Sequence, residues 1–194
     1  CNSGCRGCVW THQMSGTQPG PAHASPKGRI IRLAGREPML HENLEKLMAD
    51  LTAAGAAGIE LETNGRALAY PRTLQSLQTT KITALGVKIF ADNKKAWDSH
   101  TRVPGSFAQT QLGMRLLRER APHIPVMGVL VPRRRKGAGL AELAAFAGAL
   151  GLRRLRVRLQ LAKLDLLSLG SLESQIRELR GDSRFSSEWI LTGV

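Results

Sequence analysis

Short β-rich runs alternate with amphipathic stretches along most of the chain, and this alternation restricts the possible folds most strongly. The run from Arg29 to Leu33 is followed by Leu44–Leu51, where apolar residues recur at i, i+3, i+4 and i+7 as on one face of a helix. The same reasoning predicts further strands at Ile59–Thr63, Ile82–Phe90, Val126–Val131, Leu155–Leu161 and Trp189–Leu191, and further helices at Pro71–Gln78, Ser106–Arg120, Leu140–Leu150 and Leu169–Leu179.

Strands that alternate with helices form βαβ units, which place the strands parallel in one sheet. The units in this chain are too few for a closed eight-stranded barrel, which takes about 250 residues. The predicted fold class is therefore α/β, an open partial barrel of parallel strands. In such folds ligands bind beyond the carboxyl ends of the strands, so residues that directly follow a strand are the candidates for function.

The three cysteines of the chain, Cys1, Cys5 and Cys8, are spaced C-x3-C-x2-C. Cysteine thiolates ligate iron–sulfur clusters, so three of them on one loop can hold three irons of a [4Fe–4S] cluster and leave the fourth iron open. A structural zinc site takes four ligands and would need His12 as the fourth. A grouping of the cysteines without function is the third interpretation.

Two polar motifs directly follow predicted strands. Gly35, Arg36, Glu37 and Pro38 follow the first predicted strand. The Thr63–Gly65 turn, with Asn64 at its centre, follows the second. Each motif alone is an ordinary turn, since glycine and asparagine tolerate left-handed backbone conformations.

Together the three motifs resemble those of the radical S-adenosylmethionine (radical SAM) superfamily. The Cys1-Asn2 opening and its cysteine spacing are similar to the cluster loop of that family, Gly35–Pro38 to its Gly-Gly-Glu-Pro motif, and Thr63–Gly65 to its Thr-Asn-Gly turn. The second glycine of the Gly-Gly-Glu-Pro motif is Arg36 here, and arginine is strained if that position needs positive φ. The resemblance implies a core of six βα units.

The resemblance also implies how the cofactors bind. The cysteines would hold a [4Fe–4S] cluster whose open iron chelates S-adenosylmethionine (SAM), and Glu37 with the backbone of Gly35–Pro38 would receive the amino group of SAM. In that family a strand precedes the first cysteine, whereas this sequence starts at Cys1, so either the sequence is truncated or the barrel lacks its first strand. We expect a cluster-binding loop and connector at residues 1–27, the partial barrel at 28–181, and a tail or extra strand at 182–194.

Basic residues on two predicted strands are further candidates. Lys88 would pair with the carboxylate of SAM if its face lines the barrel, and the alternative is a lysine at a frayed strand edge. Arg154, Arg156 and Arg158 alternate with apolar residues, which makes one strand face wholly basic. If these arginines face inward they favour an anionic substrate or the cofactor carboxylate. The alternative is a sheet edge that faces water.

One more motif precedes the predicted helix that starts at Ser106. Asp98, Arg102 and the residues that follow resemble a loop found before the fourth helix in peptide-modifying relatives. Serine is a favourable N-cap residue, so Ser106 is expected to cap this helix.

The charge of the chain bears on its partners. Lys and Arg number 28 against 15 acidic residues, a net charge of +13. Such a charge favours nucleic acid, anionic membranes or acidic substrates. The basic run Arg133–Lys136 has no aromatic residues interleaved and belongs to no recognisable nucleic-acid motif, so nucleic acid is the weaker choice. No membrane-spanning run is present, and clustered cysteines without a pairing framework favour the cytoplasm.

The leading hypothesis is a radical SAM enzyme. An electron from a flavodoxin- or ferredoxin-like donor would cleave SAM to a 5′-deoxyadenosyl radical, which would abstract hydrogen from an unidentified anionic or peptide substrate; the sequence assigns no catalytic side chain. One alternative is a degenerate, non-catalytic barrel that acts as a basic binding module for nucleic acid or another anionic partner. Another is a glycyl-radical-enzyme activase, which Gly7 before the third cysteine favours.

Overall fold

The structure, a computed structural model, describes residues 1–5, 25–80, 82–132, 139–160, 174–175, 177–178, 181–184 and 186–192. Cys8, the basic run Arg133–Lys136 and most of the predicted loop at residues 9–27 lie outside this set. Most of the predicted helix Leu169–Leu179 lies outside it as well.

The strands form one six-stranded sheet in which the spatial order follows the order along the chain. Their bounds are β1 Ile30–Leu33, β2 Gly58–Thr63, β3 Ile82–Ile89, β4 Val126–Leu130, β5 Arg154–Gln160 and β6 Ser186–Thr192. The pairs β1–β2, β4–β5 and β5–β6 are parallel. Each predicted strand is therefore present, and the last of them is part of the sheet.

The helices connect successive strands. Their bounds are α1 Leu44–Ala53, α2 Pro71–Gln78, α3 Lys94–Thr101, α4 Ser106–Arg120 and α5 Leu140–Ala149, with short 3₁₀ helices at Pro38–Leu40 and Arg66–Ala69. Gly55 and Gly151 follow α1 and α5 with φ of 85° and 79°, as expected for glycines that end helices. The sequence did not predict α3, because Trp97 is its single large buried apolar side chain.

The chain divides into two compact units. The first comprises Cys1–Gly86 with Asp98–Pro125, and the second comprises Val87–Trp97 with Val126–Val194. The core of the first unit includes Met48, Ile59, Leu61, Leu68, Leu74, Leu77, Leu85, Met114 and Leu117. In the second unit Trp97 packs edge-on against Phe90, with ring centroids 5.3 Å apart, and also contacts Phe146.

The middle of α4 lies against the 3₁₀ helix that follows β2, and Gly113 makes this approach possible. A Cβ atom at this position would lie 2.7 Å from both the carbonyl oxygen of Gly65 and the Cβ of Leu68. The first of these is a backbone atom that has no rotamer by which to move away. Gly113 thus sets the distance between α4 and the polar turn at the end of β2.

Replacing Gly113 by alanine is expected to destabilise the protein. The clash costs about 3 kcal/mol by the usual scale of overpacking, while helix propensity returns about 1 kcal/mol. The net loss of about 2 kcal/mol corresponds to a fall in Tm of about 4–8 °C for a chain of this size. Gly181→Ala is the matched control, because a Cβ there meets nothing within 4 Å. Equal melting temperatures for the two variants would contradict the close approach.

Candidate functional site

The motif Gly35–Pro38, which follows β1, has backbone angles that suit its residue types. Gly35 takes a φ of 122°, a conformation that favours glycine. Among the described residues, Arg102 is the one non-glycine residue with positive φ, so Arg36 does not lie in that region. The strain expected if Arg36 required positive φ is therefore absent.

The carboxylate of Glu37 joins the ends of β1 and β2. Its Oε1 accepts hydrogen bonds from the hydroxyl of Thr63 at 2.6 Å and from the amide of Met39 at 3.3 Å. Its Oε2 accepts from the amide of Asn64 at 2.8 Å. Glu37 is buried and caps the 3₁₀ helix that begins at Pro38. The structure thus brings together predicted site residues from two separate motifs.

The first five residues, here called the cysteine segment (Cys1–Cys5), are anchored beside this carboxylate network. The side-chain amide of Asn64 donates to Oδ1 of Asn2 at 2.8 Å, and the amide of Gly4 donates to the carbonyl of Thr101 at 2.8 Å. Cys1 is exposed and Cys5 is half-buried. Both described cysteines therefore flank a short backbone stretch that is held at the carboxyl end of β2.

Arg66 is a second anchor of the cysteine segment. Its Nη1 donates to the carbonyl of Asn2 and, at 3.2 Å, to the hydroxyl of Ser3. Its Nε donates to the side-chain carbonyl of Gln109 on α4 at 2.7 Å. Neither Arg66 nor Gln109 was predicted from the sequence to have a role. The signal for Arg66 was an arginine directly after an Asn-Gly turn at a strand end.

The carboxylate of Asp98, on α3, satisfies the amides at the start of α4. Oδ1 of Asp98 accepts from the hydroxyl of Ser106 and the amide of Phe107, both at 2.8 Å, and Oδ2 accepts from the amide of Gly105 at 2.9 Å. The prediction that Ser106 is the N-cap is wrong by one residue, because Gly105 occupies that position and Ser106 begins the helix. A carboxylate is the stronger acceptor for the amides at a helix start, so Asp98 satisfies them in place of the serine.

The second unit contains two cations, Lys88 on β3 and Arg156 on β5, that are here called the basic row. Val129 lies on β4, the strand between them. The amide of Val131 bonds to the carbonyl of Ile89, which in a parallel ladder sets Lys88 opposite Val129. Val129 in turn is opposite Arg156. Residues opposite one another in a sheet share a face, so both cations lie on the same face.

The basic row is buried. Lys88 retains 7% of its exposure and Arg156 retains 3%. β5 is paired on both sides, with β4 and with β6. A frayed edge for Lys88 and a water-facing sheet edge for the arginine strand are therefore both wrong. Arg154 at the start of β5 is exposed.

Comparisons with known proteins place the fold. No protein-family model matches the sequence, and no curated protein matches it either. Among solved structures, SuiB from Streptococcus suis superposes with a TM-score of 0.60 over 84% of this chain at 14% identity. Archaeal TYW1 superposes with a TM-score of 0.54 over 77% at 11% identity. The SuiB structure holds bound S-adenosylmethionine. The chain shares its fold with the matched parts of these two structures.

The shared fold confirms the predicted α/β partial barrel, but it does not fix the reaction. The chain spans 39% of the SuiB chain and 50% of the TYW1 chain. The HMG-CoA lyase from Brucella melitensis also superposes, with a TM-score of 0.51 at 6% identity over 76% of this chain and 53% of its own. A shared fold does not by itself imply a shared function. Within the described residues no helix combines the length and apolarity needed to cross a membrane.

Proposed function

We propose that this chain is the core of a radical SAM enzyme, with a [4Fe–4S] cluster on Cys1, Cys5 and Cys8 and with SAM bound beside it. One observation carries the proposal. Residues of three motifs that are far apart in the sequence, represented by Asn2, Glu37 and Asn64, meet in one hydrogen-bonded network. Motifs that matched the family pattern only by chance would not be expected to contact one another.

The described residues fit such a cluster. Thiolates are the ligands of iron–sulfur clusters, and the chain has three cysteines, all in its first eight residues. The two described thiols flank an anchored backbone and lie outside the apolar core, so iron and sulfide can reach them. Cys8 lies outside the described residues, and its part as third ligand is an inference from the spacing.

The chain's own residues have distinct tasks in this proposal. When bound and reduced, the cluster supplies the electron that cleaves SAM and yields a 5′-deoxyadenosyl radical. Glu37 offers an anionic acceptor for the amino group of SAM. A carboxylate has about four acceptor positions, and the three donors already bonded to Glu37 leave about one of them open. The backbone carbonyls of Gly35–Pro38 add further acceptors. Lys88 is proposed to pair with the carboxylate of SAM.

The substrate is proposed to carry an anionic group, and a peptide is the favoured class. The basic row supports the first part, since Arg156 lies on the same buried face as Lys88. A structure of SuiB bound to its precursor peptide SuiA, which superposes with a TM-score of 0.55, supports the second. A flavodoxin- or ferredoxin-like protein is proposed as electron donor.

A non-catalytic basic binding module is the second candidate, and the net charge of +13 favours it. The absence of positive φ at Arg36 removes one reason to regard the barrel as degenerate. A glycyl-radical-enzyme activase remains a special case of the first candidate, and it rests on Gly7, which lies outside the described residues.

Anaerobic reconstitution tests the proposal. The protein is loaded with iron and sulfide, reduced with dithionite and supplied with SAM, and 5′-deoxyadenosine is quantified. We expect a brown protein that forms 5′-deoxyadenosine only when it is reduced. Failure to load a cluster, joined with salt-dependent binding of nucleic acid that survives loss of the cysteines, would overturn the proposal in favour of the binding module.

A further inference from the structure

We propose that Arg66 is a positioning residue: it holds the cysteine segment at the sheet edge and places a fixed positive charge beside the cluster that the segment would carry. The first part concerns the protein without any cofactor. The second part rests on the proposed function.

Gln109 orients the guanidinium of Arg66 on one side, and the guanidinium bonds to the cysteine segment on the other. On α4, Gln109 accepts from Nε at 2.7 Å, and Gln109 itself donates to the hydroxyl of Tyr70 at 2.8 Å. From the other side, Nη1 donates to the carbonyl of Asn2 and the hydroxyl of Ser3. The planar fork of arginine suits such a bridge, because its donors point in fixed directions.

The backbone of Arg66 is fixed as well. Its amide donates to Oδ1 of Asn64 at 3.0 Å, and the preceding Gly65 lies in the left-handed region with φ of 79°. The carbonyl of Gly65 is in turn packed against Gly113. The backbone and the Nε of Arg66 are therefore held by residues outside the cysteine segment, so the contact with Asn2 requires little further ordering.

The same contacts place the positive charge of Arg66 near the cysteines. Asn2, whose carbonyl receives the guanidinium, is adjacent to Cys1 in the chain. Reduction adds negative charge to a cluster, and a nearby cation stabilises the reduced form. Removal of the charge is expected to make the cluster harder to reduce.

Three variants separate the geometry of Arg66 from its charge. Arg66→Gln removes the charge and the fork, whereas Arg66→Lys keeps the charge and loses the fork. Arg72→Gln is the matched control, because Arg72 is an exposed arginine on α2 that lies six residues away and changes the net charge equally.

Hydrogen exchange of the cofactor-free full chain tests the anchoring. We expect the amide of Gly4, which bonds to Thr101, to exchange at least tenfold faster in Arg66→Gln than in the wild type, with Arg66→Lys close to Arg66→Gln and Arg72→Gln close to wild type. Equal exchange in wild type and Arg66→Gln would overturn the proposal, whether or not a cluster can be loaded.

A redox titration of the loaded protein, followed by the electron paramagnetic resonance signal of the reduced cluster, tests the charge. The midpoint potential is expected to become more negative in Arg66→Gln but to stay near the wild-type value in Arg66→Lys and Arg72→Gln. An unchanged potential in Arg66→Gln would overturn the electrostatic part. If the wild type itself loads no cluster, the proposed function fails, while the exchange experiment still decides the anchoring.

Discussion

Replacing Cys5 by alanine is expected to abolish both the absorbance of the cluster and the cleavage of SAM. The chain has three cysteines and the proposed cluster uses all of them, so no other thiol can take the vacant position. Iron content and 5′-deoxyadenosine are measured after reconstitution of the variant beside the wild type. We expect both to fall to the level of a sample that was not reconstituted.

The control for this experiment is Ser99→Ala, a change on the exposed side of α3. It should leave iron content and product at the wild-type level. Far-UV circular dichroism of the cofactor-free proteins shows whether Cys5→Ala still folds. A folded Cys5→Ala variant with full product formation would contradict the assignment of the cysteines, and with it the proposed function.

Replacing Glu37 by glutamine is expected to weaken both the fold and the binding of SAM. One amide oxygen can still accept from Thr63, but the new amino group faces the amide of Asn64 and leaves that buried donor without an acceptor. An orphaned buried donor costs about 1–3 kcal/mol. We expect the free energy of unfolding, measured with urea, to fall by about 2 kcal/mol on that scale.

The same variant removes the anionic acceptor proposed for the amino group of SAM. Affinity of the cluster-loaded protein for SAM, measured by equilibrium dialysis, is expected to fall by about tenfold or more, the order of one charge-assisted hydrogen bond. Glu42→Gln, an exposed residue just before α1, is the control for both measurements. Wild-type affinity in a destabilised Glu37→Gln variant would show that Glu37 only joins the strand ends and does not contact SAM.

Much of the secondary structure was predictable because each element carries a local signal. The apolar residues of α1 recur with helical period, Pro71 begins α2, and glycines with positive φ follow α1 and α5. The site residues Glu37, Thr63 and Asn64 were predictable for another reason. They lie at or shortly after the carboxyl ends of strands, and the ends of parallel strands meet at one edge of the sheet.

Other features depend on contacts that no local pattern encodes. The bond from Arg66 to Gln109 joins residues 43 positions apart and exists because α4 packs against the turn after β2. The side chain of Asp98, and not that of Ser106, caps α4, because this carboxylate from the preceding helix reaches the groups at the start of α4. The burial of Lys88 could not be predicted, because it depends on the order of the strands in the sheet. The alternation of residues within a single strand does not reveal that order.

The strand order has a consequence for how the chain folds during synthesis. Each strand lies beside its neighbours in sequence, so the sheet can grow by local steps as the chain leaves the ribosome. The cysteine segment is the exception, since Arg66 lies 64 residues after Asn2 and Thr101 lies further still. We expect the cysteine segment to be anchored only after Arg66 and Thr101 have reached their places in the fold. Under the proposed function, the site for the cluster is therefore complete only late in folding, while its thiols stay accessible to iron and sulfide in the folded chain.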